Sequence, residues 1–146
     1  MLIRRPVADV FEAFIDPAIT SSFWFTKGSA RLDVGKTVEW TWATYGLSIP
    51  VTAKAIERDQ RILIEWPGYG SATTVQWTFA PFGDDATFVS ITESGFVGDG
   101  DQVLKAVASS SEGFTLVLAG AKAYLEQGVR LNLIADRYPK GLATGG

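Results

Sequence analysis

The sequence contains no cysteine and no histidine. The first absence excludes disulfides, thiol nucleophiles, iron–sulfur clusters and cysteine-based zinc sites. The second removes the commonest general base, the commonest transition-metal ligand and any Ser-His-Asp triad. Long apolar runs are also missing: the strongest, near Phe114–Ala121, contains a glycine and falls far short of a membrane span. Positive charge is scattered, with no run longer than Arg4-Arg5, so nucleic acid is not an expected partner. The Met-Leu-Ile-Arg-Arg-Pro start lacks an apolar signal region, which makes the cytoplasm the expected address. What the chain does have is rings. Its 146 residues include five Trp, nine Phe and four Tyr, are 47% hydrophobic and 20% charged, and carry a net charge of -3. Many rings and few catalytic groups suggest a container before a catalyst.

The length suits one domain, 1–146, ending in a tail over 131–146. Leu2-Ile3-Arg4 has strand character and stops at Arg5-Pro6, because proline cannot donate to a ladder. Val7, Val10, Phe11 and Phe14 recur at helical spacing, so a short helix follows. Asp16-Pro17 ends it, and Asp16 is placed to cap a second short helix from Pro17 to about Phe23. Alternation then predicts strands over Thr37–Thr44, Ile49–Arg58, Arg61–Trp66, Ala72–Ala80 and Thr87–Ser94. The connection Pro67-Gly68-Tyr69-Gly70 reads as a loop, and Gly95–Gly100 as a glycine-rich one. From Asp101 a helical period runs to Gln127 and stops at Gly128, with Gly113 and Gly120 on one face. Close packing of the helix on the sheet accounts most simply for both glycines, and bending of the helix around a cavity is the alternative. Beyond Leu131 the chain reads as irregular, with Thr144-Gly145-Gly146 expected to be loose.

Half-polar strands need a cover on their apolar face, and the final helix is the only element long enough to supply it. The expected class is α+β: a helix-grip fold, with a curved antiparallel sheet wrapped around one long C-terminal helix and two short helices near the N-terminus. Several phrases carry a family likeness. Pro6-Val7-Ala8-Asp9-Val10-Phe11-Glu12-Ala13-Phe14-Ile15-Asp16-Pro17, Ile62-Leu63-Ile64-Glu65-Trp66, Thr92-Glu93-Ser94-Gly95-Phe96 and Gly113-Phe114-Thr115-Leu116-Val117-Leu118 come in a familiar order, with Trp24 at the end of the second helix. Together they resemble the START-like (birch-pollen-allergen and polyketide-cyclase) superfamily, and within it the activator of heat-shock-protein-90 ATPase homologue family. The resemblance implies a helix-grip fold and a cavity for a small hydrophobic molecule. It also shows two departures. The first strand is shorter than is common in the family, which raises the expectation of a homodimer through that edge. Nothing in the chain matches a separate chaperone-binding module, so co-chaperone activity is not expected to carry over.

Alternation sets Trp40, Trp42, Trp66 and Trp77 on the inner sheet face, where they serve either as packed core or as the wall of a pocket. Trp24, Phe96 and Phe114 join them as candidate ligand-binding residues. Glu93 follows Val89 and Ile91 onto the same inner face. A carboxylate there must be paired, hydrogen-bonded or neutral. It is either a pocket group, able to bind a ligand hydroxyl or move a proton, or a residue that escapes to solvent or to an arginine where the strand ends. Ser109-Ser110-Ser111 has no activating partner, and no loop has the spacing of a calcium or phosphate site. No metal and no cofactor is expected. Binding of a small hydrophobic or aromatic ligand between sheet and long helix is the leading expectation. A cyclase- or hydrolase-type enzyme using Glu93 and water is the first alternative, and a chaperone-linked interaction module the second.

Overall fold

Strands form where apolar and polar residues alternate. In the computed structural model, which describes residues 1–68 and 70–141, they are β1 (Leu2–Ile3), β2 (Lys27–Gly28), β3 (Thr37–Trp42), β4 (Leu47–Glu57), β5 (Arg61–Pro67), β6 (Ala72–Pro81) and β7 (Thr87–Ser94). They make one antiparallel sheet in the order β1-β7-β6-β5-β4-β3-β2. The register between β4 and β5 shifts between Ala53 and Ala55, a bulge of the kind that bends a strand. The helices are α1 (Val7–Ile15), α2 (Pro17–Thr20), α3 (Gly100–Gln127) and α4 (Leu133–Arg137). The result is the expected α+β helix-grip fold.

Local chemistry explains the ends of the elements. Asp16 caps α2 by accepting from the Ala18 backbone N–H at 2.9 Å. Asp99 and Gln102 form a capping box at the start of α3. Gly128, at φ 67°, closes α3 in the left-handed conformation that glycine adopts freely. Four expectations need correction. β2 is an additional strand, paired among the described strands with β3 alone. β3 stops at Trp42, because Ala43–Tyr45 tightens into a 3-10 turn ended by Gly46 at φ 61°. α2 stops at Thr20, and its continuation toward Trp24 is a series of turns. Within the supposed irregular tail, α4 is helical; Thr144-Gly145-Gly146 lies outside the described residues.

The inner sheet face carries Val38, Trp40, Val51, Ile62, Ile64, Val75, Trp77 and Val89, all buried. Each such aliphatic side chain contributes on the order of 1.5–3 kcal/mol when fully removed from water. α1 covers part of this face through Val10, Phe11 and Phe14. Among the described residues, no helix is long and apolar enough to cross a membrane.

The two ends of α3 are held differently. Its buried stripe runs through Ala106, Ser110, Val117, Gly120 and Ala121. At Gly120 a Cβ would come 3.2 Å from the Phe23 carbonyl oxygen, so this glycine admits the exit of α2 rather than the sheet. Two residues on, Lys122 Nζ donates to the Leu2 carbonyl at 2.8 Å and to Glu126 Oε2 at 2.6 Å. The Arg4 N–H donates to the same Glu126 oxygen at 2.8 Å. The helix therefore satisfies the Leu2 carbonyl of β1 and the Arg4 N–H just beyond it, so this edge is bonded in part from within the chain.

Candidate functional site

Side chains from three adjacent strands converge at one end of the inner face. Trp66 on β5 stands opposite Thr73 on β6, and Glu93 on β7 pairs with Val75, two residues along from Thr73 on the same face. Alternation through Val89 and Ile91 turns Glu93 inward, and β7 neither frays nor bulges before it. Its partners are not arginines. Oε2 accepts from Trp66 Nε1 at 2.9 Å and from Thr73 Oγ1 at 2.5 Å. Oε1 accepts from Ser110 Oγ on α3 at 2.7 Å. Thr73 is 1% exposed and Ser110 8%, so these hydroxyls are largely shielded from bulk water. A carboxylate has roughly four acceptor positions, and the three bonds leave one on Oε1.

Next to this group, between α3 and the sheet, is a cavity of about 280 Å³. Trp24, Trp66, Glu93, Gly113, Phe114 and Ile134 are among the residues that line it. Its wall is mostly ring and aliphatic surface, with Glu93 and Ser110 as the inward polar groups. Behind the wall the rings are stacked deep. Trp24 is the hub, with ring centres at 5.0 Å from Trp40, 5.7 Å from Phe114, 6.0 Å from Trp77, 6.1 Å from Trp66 and 6.2 Å from Trp42. Such pairs contribute about 0.5–1.5 kcal/mol each beyond burial. The candidate rings thus divide into two layers. Trp24, Trp66 and Phe114 face the cavity, while Trp40, Trp42 and Trp77 are buried in the cluster that supports them. Phe96, on the loop before α3, lines two neighbouring cavities of about 300 and 590 Å³ instead.

α4 borders the outer side of the cavity. Ile134 contributes to its lining, and the Ile134 carbonyl accepts from the Tyr45 hydroxyl at 2.5 Å. Burial, with Tyr138 and Asp136 nearby, holds that hydroxyl above its ordinary pKa, so it stays a donor. Arg137 is paired with Glu112 on α3 and lies 4.7 Å over the Tyr138 ring. Residue-by-residue reading missed α4, Thr73 and Ser110. Thr73 was legible as the inward neighbour of Val75 on β6; α4 left no periodic signal long enough to find.

Gly113 belongs to the same stripe of α3 as Ala106, Ser110, Val117 and Gly120, spaced four, three, four and three residues apart. A Cβ there would meet nothing within 4 Å. Inside a helix this glycine costs about 1 kcal/mol relative to alanine. Unlike Gly120, it is not explained by a close neighbour.

The family model described as activator of Hsp90 ATPase homolog 1-like protein matches residues 4–126. The chain belongs to this family. The match spans α1 through nearly all of α3 and so includes Trp24, Trp66, Thr73, Glu93 and Ser110, while α4 lies beyond it. Among solved structures, the chain is similar to the protein SSP2350 from Staphylococcus saprophyticus, with 29% identity and a TM-score of 0.75 over 90% of this chain and 91% of that one. The Aha1 dimer from Colwellia psychrerythraea shares 15% identity at a TM-score of 0.73, over 88% and 93% of the two chains. DynU16, a protein of the dynemicin biosynthetic locus, shares 22% identity at a TM-score of 0.71, and this chain spans 46% of it. The last two likenesses show the fold. No curated protein matches the sequence.

Proposed function

We propose that this member of the Hsp90-ATPase-activator homologue family binds a small, largely aromatic molecule bearing a hydroxyl or similar hydrogen-bond donor. The observation that carries this reading is Glu93 in the wall of a ring-lined cavity of about 280 Å³, with its Oε1 taken by one protein donor, Ser110. An apolar cavity of about 150 Å³ holds benzene, so roughly twice that volume suits one or two fused rings rather than a long acyl chain. Trp24, Trp66 and Phe114 would supply the apolar contact, and Glu93 the orientation. An apolar ligand that takes the place of water at Glu93 without offering it a donor is penalised, which favours hydroxylated over plain hydrocarbon ligands.

The test is calorimetric titration with phenol, 2-naphthol and naphthalene. The expected result is saturable 2-naphthol binding with a Kd on the order of 0.1 mM, from about 0.5 kcal/mol per heavy atom. Naphthalene should bind more weakly than 2-naphthol. No saturable heat from any of the three with folded protein would refute the reading.

A further inference from the structure

We infer that Gly113 is the position that sets how large a ligand the cavity admits, an inference that rests on the binding reading above. α3 provides its own comparison. Both glycines lie on the inward stripe, between residues that are buried. Gly120 is favoured by packing, because a Cβ would crowd the Phe23 carbonyl oxygen at 3.2 Å, tighter than an ordinary contact. Gly113 is not required by packing: an added Cβ would meet no heavy atom within 4 Å outside its own stretch of helix backbone, and the residue lines the cavity. A glycine at mid-helix weakens the helix, and nothing in the protein occupies the space its missing side chain leaves. That space adjoins Phe114 and Trp66 on the cavity wall and lies one helical turn from Ser110, the hydroxyl on Glu93. It is the part of the cavity that a second ring would enter once a first ring is oriented by Glu93. Gly113 is therefore a specificity-determining residue that acts by its absence of volume. Any larger residue at 113 would fill the site from the helix side without disturbing the polar group.

The experiment compares Gly113→Ala, Gly113→Val and Gly120→Ala with the unmodified chain, reading Tm together with calorimetric Kd for phenol and 2-naphthol. The expected result is a higher Tm in Gly113→Ala and a lower one in Gly120→Ala. Affinity for 2-naphthol should fall stepwise from Gly to Ala to Val, by at least about tenfold at Val, with phenol kept within about threefold. If Gly113→Val does not fold, the Ala variant decides by the same pattern at smaller scale. Equal 2-naphthol affinity in all Gly113 variants would overturn the inference and leave the binding reading standing. Loss of both ligands together with a lower Tm would also overturn it, because Gly113 would then be structural. No binding of either probe by the unmodified chain would overturn the binding reading and this inference with it.

Discussion

Replacing Glu93 tests the polar group at the cavity most directly, because three donors depend on one carboxylate. In Glu93→Leu, Trp66 Nε1 keeps the Thr73 hydroxyl oxygen as an acceptor at 3.1 Å. Ser110 can turn back to the carbonyl one helical turn before it. The Thr73 hydroxyl, 1% exposed and bonded to Glu93 at 2.5 Å, has no such recourse. One stranded donor costs about 1–3 kcal/mol, and the strained bonds of the other two add to that. The apolar gain from leucine offsets about 1 kcal/mol. The net expectation is a loss of about 2 kcal/mol, or roughly 5–10 °C in Tm for a chain of this size. Glu93→Gln should behave differently. Its amide oxygen can face Trp66 and Thr73 while its NH₂ group faces Ser110, whose hydroxyl can also accept. That variant should stay within about 1 kcal/mol of the parent. Urea unfolding followed by tryptophan fluorescence measures both, since Trp66 and Trp24 report on this region. A leucine variant as stable as the parent would refute the claim that these hydroxyls are shielded from water. A glutamine variant as damaged as the leucine one would show that charge, rather than acceptor geometry, holds the group.

Other consequences can be checked separately. Lys122→Met removes the donor to Leu2 and Glu126, and thermal melts should show a loss of about 1 kcal/mol at neutral pH. Burial by itself would raise the Glu126 pKa, but the Lys122 ammonium and the Arg4 N–H outweigh it and hold the carboxyl below its usual range. A carboxyl lowered on folding stabilises the protein above its unfolded pKa and loses that contribution as pH falls through its folded pKa. The gap in Tm between parent and Lys122→Met should therefore narrow on acidification below about pH 4.5, and a constant gap would contradict the assignment. Tyr45→Phe releases the Ile134 carbonyl and should hasten tryptic cleavage at Arg137; unchanged cleavage would mean that α4 is held by other contacts. Arg137→Ala should leave Tm unchanged but raise the dissociation rate of 2-naphthol in stopped-flow fluorescence, because its contact with Glu112 lies at the rim rather than in the core.

Much of this architecture was legible because a two-residue period is hard to mistake. Val75 and Trp77, Ile62 and Ile64, and Val89 with Glu93 came out on the inner face by alternation alone, and Asp16 and Gly128 marked helix ends by their own chemistry. What escaped depends on tertiary contact. β2 is two residues long and exists through its pairing with Thr41 and Trp40. α4 has five residues, begins after Asn132 at φ 56° with no side-chain cap, and is fixed by Tyr45 and Glu112 from distant parts of the chain. Ser110 looked like one of three interchangeable serines until the helix was docked with that hydroxyl toward Glu93. The division of the tryptophans into wall and support could not be read either, because alternation gives the face of a strand but not the distance to what lies above it.

The unequal fastening of α3 makes it a cantilever. Its C-terminal half is clamped by Gly120 against Phe23 and by Lys122 and Glu126 against β1. Its N-terminal half leaves Leu104 and Val107 exposed and leans on the sheet through Ser110. Amide exchange should therefore be graded along one continuous helix, fastest over residues 102–109 and slowest over 117–124. The cavity lies along residues 109–117, between the free end and the clamp, so bending of the beam would change its width, while the clamped end keeps β1 against the C-terminal end of α3.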